Sequence, residues 1–354
     1  MFRWRRRGFS GAPEVGLIGA NRLKTLARGG LLVGIVLFVA LIAREGVGEV
    51  ATALSVAGWG LLAVAAFHLV PIFADAMGWR RLLATRSPIS IRTALYARWI
   101  GESVNGLLPV AQVGGSVVKA NLVSRRGVPG AFAGASVVVD ITTLVGSQIV
   151  FTLLGLALLI AEFGGHELAP TALAGTVLMA LLLFGFYLAQ RRGMFGAMAR
   201  GLRRLAPGGG PSAFTDEAES IDADVAQLYG ESRAVLAALA WHLVAWVVGA
   251  GEVWLALWLL GHPVDLSTAL LLESLGQAVR AAAFAIPGAL GVQEGGYVLL
   301  GQVLGIGPET ALALSLSKRV RELTLGLPGL VAWQIEEANA LLLPRSDEAR
   351  MESL

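Results

Sequence analysis

Four ionisable side chains, Lys318, Arg319, Arg321 and Glu322, fall within five residues of the otherwise apolar stretch "SLSKRVRELTLGLPG". A charge at the bilayer centre costs about 2.5–3.5 kcal/mol on insertion scales, so such a group has a partner or a task. At helical spacing Lys318, Arg321 and Glu322 share one face, placed to point inward to Glu294 and to Glu102 or Glu273, while Arg319 turns away. Two cations beside a carboxylate suit a phosphate or another anionic head group, with a structural ion-pair network as the alternative. A second candidate is "IPGALGVQEGG", where Pro287, Gly288 and Gly291 break a helix and Gln293 and Glu294 stand in the break. Glu294 either caps the helix that follows, since acids favour helix N-termini, or reaches Lys318 and Arg321. Asp140, ten residues into "AFAGASVVVDITTLVG", has no capping role and is expected to meet a base or a cavity. Glu102, Asn105 and Lys119 flank an earlier break formed by Pro109, Gly114 and Gly115; Glu273 and Arg280 precede the later one. Asp75, His242 and Glu252 read as structural, and the four histidines lack metal-ligand spacing, so no metal is expected.

The elements that must hold these groups are membrane helices. The chain has 354 residues, 55% hydrophobic and 15% charged, and its mean hydropathy is +0.69, far from the balance of a water-soluble domain. Runs near 25–43, 56–78, 131–160, 170–189, 232–260 and 309–334 are long and apolar enough to span. Two further regions, near 91–128 and 266–306, are apolar but interrupted. Each is too broken for one straight helix and short for two crossings, which suggests re-entrant hairpins buried in protein or lining a wet cavity. The expected fold is therefore an all-α polytopic membrane protein with about six transmembrane helices and two re-entrant helical hairpins. Cysteine is absent, and no phosphate-binding loop, "HExxH" or "GxSxG" occurs; no cofactor, nucleic-acid partner or ATP-driven motor is expected.

Of 28 Lys and Arg, 23 fall in segments that alternate to one side, among them Arg80 to Arg98 and Lys119 to Arg126. The positive-inside rule places both termini in the cytoplasm. Residues 1–24 form a basic leader, 25–334 one membrane domain and 335–354 a tail; a cytoplasmic loop at 191–231 holds a flexible turn and an amphipathic surface helix. The repeat halves are about 91–160 and 266–334. Sliding one over the other by 178 residues sets Pro109 on Pro287, Gly127 on Gly305, Ser116 on Glu294 and Asp140 on Lys318, with Glu102 on Glu273 only after seven inserted residues. Three intervening crossings make the second hairpin enter from the opposite side, an inverted-topology repeat of the kind that places transporter sites at the midplane.

The stretches "NGLLPVAQVGGSVVKANLVSRRGVPGAFAGASVVVD" and "IPGALGVQEGGYVLLGQVLGI" resemble the flippase-like membrane domain family, the transmembrane region of lysylphosphatidylglycerol synthases. The stretches "RWIGESVNGLLPVAQVGG" and "SLGQAVRAAAFAIPGALGVQEGGY" are most similar to its hopanoid-biosynthesis-associated type. Relatives often carry an acid after the first "GG", where this chain has Ser116. The resemblance implies lipid handling without synthesis: movement of an anionic or aminoacylated phospholipid, or a hopanoid-type lipid, across a bacterial inner membrane, with lipid-synthesis enzymes as potential partners. The synthases' soluble aminoacyl-transferase domain has no counterpart in these residues. A lipid-modifying membrane enzyme with Glu294 as general base, and a non-catalytic scaffold of a lipid-synthesis complex, are the competing readings.

Overall fold

A computed structural model describes residues 47–108, 113–163, 168–205, 212–283 and 286–342. The expected first span, the leader, Pro109 and the end of the tail lie outside them. Among the described residues the fold is all-helical, without strands. In chain order the helices are α1 (Val47–Ala57), α2 (Gly60–Phe67), α3 (Leu69–Leu83), α4 (Ile91–Leu107), α5 (Gly114–Ser124), α6 (Gly130–Phe163), α7 (Leu168–Arg191), α8 (Met194–Leu205), α9 (Ser212–Gly230), α10 (Ser232–Leu259), α11 (Leu266–Ala282), α12 (Val292–Val303) and α13 (Pro308–Leu342). Four segments are long and apolar enough to cross a membrane: Gly60–Leu83, Gly130–Glu162, Leu173–Arg191 and Ser232–Leu259. On α7, Leu178, Leu181, Leu182 and Phe184 are each more than half exposed, an apolar outer face that only lipid or another protein would cover. Helix α13 has the length to span, but its charged middle sets it apart from those four, and it runs to Leu342, well into the expected tail.

The two interrupted regions are pairs of antiparallel helices, α4 with α5 and α11 with α12. Both first arms have 17 residues and the same start signal: the Ser90 hydroxyl accepts the N–H of Thr93, and the Asp265 carboxylate accepts that of Thr268. Ile91 and Leu266, which open them, are 175 residues apart. The second arms open at Gly114 and Val292, 178 apart, and the helices after them at Gly130 and Pro308, again 178 apart. The halves thus differ by three residues before the second arm, not seven. Each second arm also stops in the same way. Gly127 and Gly305 take the left-handed conformation (φ +96° and +71°), and the next N–H reaches back, Val128 to Val123 O and Ile306 to Gly301 O.

Helices α3 and α10 form the centre. His68, just before α3, meets Glu252 late in α10, and Gly78 late in α3 meets His242 early in α10, so the two helices run antiparallel. In the loop expected at 191–231, the turn lies almost wholly outside the described residues, and two helices, α8 and α9, flank it. Helix α9 buries Val225 and Leu228 against α6, and from it Asp222 accepts the N–H groups of Phe195 and Gly196 at the start of α8.

Candidate functional site

A cavity of about 480 Å³ lies among α3, α4, α5, α6, α10, α11 and α13, inside an otherwise apolar bundle. Of the eleven polar residues singled out from the sequence, eight line it: Glu102, Asn105, Lys119, Asp140, Glu273, Arg280, Arg321 and Glu322. Glu294, Lys318 and Gln293 are buried behind the wall and do not line it.

The ends of α12 and the middle of α13 explain the exclusions. Gly288 and Gly291 adopt positive φ (+63° and +75°), turning the chain through a single 3-10 turn, Pro287–Ala289, into α12. The Glu294 carboxylate then folds back to accept the Gly291 N–H at 2.6 Å, a capping contact. Its other oxygen accepts from Arg319 Nε at 3.1 Å and Ser315 Oγ at 3.2 Å. The expected partnership of Glu294 with Lys318 and Arg321 is therefore incorrect, and so is the outward orientation of Arg319. The side chain of Arg319 is long enough to bend around α13 to two carboxylates, Glu294 and Glu322. Gln293 accepts from Arg280 and donates to Ser315.

Lys318 donates to Glu273 at 2.5 Å, and both side chains are at most 5% exposed. Glu273 also accepts from Gln277 at 2.8 Å. Arg321 donates to Glu252 at 2.7 Å and lies 3.1 Å from His68 Nδ1; Arg280 donates to Glu322 at 2.7 Å. On the opposite wall Lys119 donates to Asp140 at 2.5 Å and stands 4.4 Å from the centre of the Trp79 ring. Asn105 accepts the N–H of Gly115, one of the free groups at the start of α5. Gly115 also touches Gly101 so closely that a Cβ at Gly115 would collide with the Gly101 carbonyl oxygen. Gly276, 175 residues after Gly101, plays the matching part by leaving room for the Tyr297 ring, 3.0 Å from a Cβ there. Gly101 therefore matches Gly276, and Glu102 does not match Glu273.

The groups that the sequence reading set aside complete the site. His68 and His242 each bridge two carboxylates. His68 Nδ1 is 2.6 Å from Glu252 and its Nε2 2.8 Å from Glu102; His242 Nδ1 is 2.7 Å from Asp75 and its Nε2 3.0 Å from Asp140. Arg98 holds Asp75 at 2.6 Å and approaches Glu102 at 3.6 Å, joining the two clusters. Arg98 and Lys119 are thus internal charges and do not count toward loop orientation. The signal that found Asp140, a lone ionisable group in an apolar span, also marks His68, Asp75, His242 and Glu252; only the partners were illegible, being up to 184 residues away.

Every lining cation has a carboxylate partner, so the expected basic, anion-ready cluster is a neutralised network. Its carboxylates oppose one another across imidazole rings and do not converge on a point, and no metal-ligand group occurs among the described residues.

Comparison with curated proteins and with solved structures gave no match. The family model described as "Lysylphosphatidylglycerol synthase TM region" matches residues 28–329, which takes in every residue that lines the cavity. The chain is a membrane protein that belongs to that lipid-related family.

Proposed function

We propose that the protein is a lipid transporter that moves a head group across the bacterial inner membrane through this cavity while the acyl or polycyclic tail stays in the bilayer. The observation that carries the reading is a charged cavity of about 480 Å³ enclosed by helices whose outer faces are apolar. In this reading the two helix pairs are re-entrant hairpins. Helices α5 and α12, of 11 and 12 residues, reach only about 16–18 Å at 1.5 Å per residue, against about 30 Å of hydrocarbon. The matched helix starts and the antiparallel α3 and α10 support an inverted repeat with six spans and both termini cytoplasmic.

An anionic or aminoacylated phospholipid head group, or that of a hopanoid-type lipid, enters by exchanging partners: a phosphate takes Arg280 from Glu322 or Arg321 from Glu252, and an ammonium takes a carboxylate from a cation. Exchange suits transport, because a site whose charges are already satisfied binds weakly enough to release. Lipid-synthesis enzymes would supply such a cargo.

The test is dithionite quenching of fluorescent phosphatidylglycerol in proteoliposomes. Purified protein is expected to expose inner-leaflet probe, and Arg321→Ala to slow it. Quenching no greater than in protein-free vesicles, for phosphatidylglycerol, its aminoacylated form and a hopanoid lipid alike, refutes the reading.

A further inference from the structure

Each of the two carboxylate–imidazole–carboxylate bridges needs one proton beyond those of a neutral imidazole and two ionised carboxylates if both ring nitrogens are to hydrogen-bond a carboxylate. A neutral imidazole has a single N–H, so with both ring nitrogens within 2.8 Å of ionised carboxylates one contact at His68 would set lone pair against lone pair. Both contacts become hydrogen bonds only when the bridge carries an additional proton, on the ring or on a carboxyl. The same holds at His242, but that ring is fully enclosed, whereas His68 borders the cavity and its partner Glu102 is 35% exposed there.

We propose that the His68 bridge is the proton-binding site of a proton-coupled transport cycle. Glu102 takes a proton from cavity water and passes it to His68 Nε2, while His68 Nδ1 gives its own to Glu252. The imidazole ends neutral but in its other tautomer, with the N–H on Nε2, and one proton has crossed from the α4 side to the α10 side; return of the ring to the Nδ1–H tautomer resets the site. With the proton present, the bridge ties Glu102 on α4 to Glu252 on α10 through the ring at the start of α3. Without it one contact turns repulsive and the tie opens, so occupancy by a proton alternates with separation of α4 from α10. Cations face the bridge from two elements and oppose the added proton that the two carboxylates favour: Arg321 from α13 lies 3.1 Å from Nδ1, Arg98 from α4 approaches Glu102 at 3.6 Å, and Lys318 from α13 acts on Glu252. The proposal rests on the lipid-transport reading for its cargo, not for the proton site.

Because the chain has no cysteine, Ser116→Cys on the cavity wall gives one reporter thiol. Its labelling by an impermeant maleimide, in the full chain in phosphatidylglycerol vesicles, is measured across pH as a ratio to the same thiol in a His68→Gln background. Thiol ionisation cancels in that ratio. The ratio is expected to rise with pH as the bridge opens, and Glu102→Gln, which keeps the shape of the side chain, is expected to flatten it. Fluorescent phosphatidylglycerol is then expected to move faster under an imposed pH gradient, and to lose that dependence in both variants. A flat ratio in the unsubstituted background overturns the proton site. Lipid movement indifferent to the gradient overturns the coupling and leaves lipid transport standing. A pH-dependent ratio without movement of any lipid supports the proton site and overturns the transport reading instead.

Discussion

Replacing Lys318 with methionine isolates the cost of one buried charge, because Lys318 lies behind the cavity wall and its loss removes none of the lining side chains. Its ammonium is 2.5 Å from Glu273 in a site where both side chains are at most 5% exposed. Removing one partner of such a pair strands the other and costs about 3–5 kcal/mol. Glu273 retains the Gln277 amide at 2.8 Å, which places the expected loss near the lower figure. A loss of about 3 kcal/mol, at about 2 °C per kcal/mol for a large chain, lowers the thermal midpoint by about 6 °C. The double variant Lys318→Met, Glu273→Gln removes the stranded charge as well and is expected to recover most of that loss. The assay is the midpoint of monodisperse protein in detergent after heating, read by size exclusion, for the four members of the cycle. A single variant as stable as the parent, or a double variant less stable than either single one, would refute the assignment of Lys318 and Glu273 as a mutually neutralising pair.

Gly115→Ala is expected to abolish the monodisperse protein, since its Cβ collides with the Gly101 carbonyl, whereas Gly175→Ala, with open space at its Cβ, leaves the elution profile unchanged. The Asp265 carboxyl is held below its ordinary range, first by the Thr268 N–H it caps and then by the hydroxyls of Thr268 and Ser267. A depressed folded value means that the capping contribution is present above the ordinary aspartate value of about 3.9 and fades as pH falls through the folded one. Asp265→Ala is therefore expected to lower the thermal midpoint at neutral pH, with the gap closing in acid.

Much of the frame was legible because it follows from local physics. The apolar runs, the helix-breaking Pro287 and Gly288, and the pair Gly127 and Gly305 each act within a few residues of themselves, and the last two close α5 and α12 with the same backbone bonds. The cost of burying a charge singled out Asp140, Glu273 and Arg321 for the same reason. Pairing was legible only in part: Lys318 meets Glu273, one of the carboxylates expected for its face, but Glu294 takes Arg319 instead. Helical spacing fixes where a Cβ points, but the reach of an arginine is longer than the difference between adjacent faces, so Arg319 finds Glu294 although its backbone position turns away. The match of Glu102 to Glu273 failed in another way. Identical polar residues carry little register information in an apolar helix, whereas the contact between hairpin arms admits only glycine, and that constraint ties Gly101 to Gly276.

With the register corrected, the two halves hold opposite charges at matching positions. Arg98 falls 175 residues before Glu273, and Asp140 178 before Lys318. In the second half the matched pair touches directly, Lys318 on Glu273. In the first, Arg98 and Asp140 are joined through Asp75 and His242. Lys119 and Tyr297, also 178 apart, each contact the group after them in this series, Asp140 and Lys318. A lysine and a glutamate in direct contact need no third group to join them, while a connection through imidazole depends on which ring nitrogens carry protons. The halves thus share a backbone plan and differ in how the matched charges are joined: directly in the second, and through Asp75 and the enclosed His242 ring in the first.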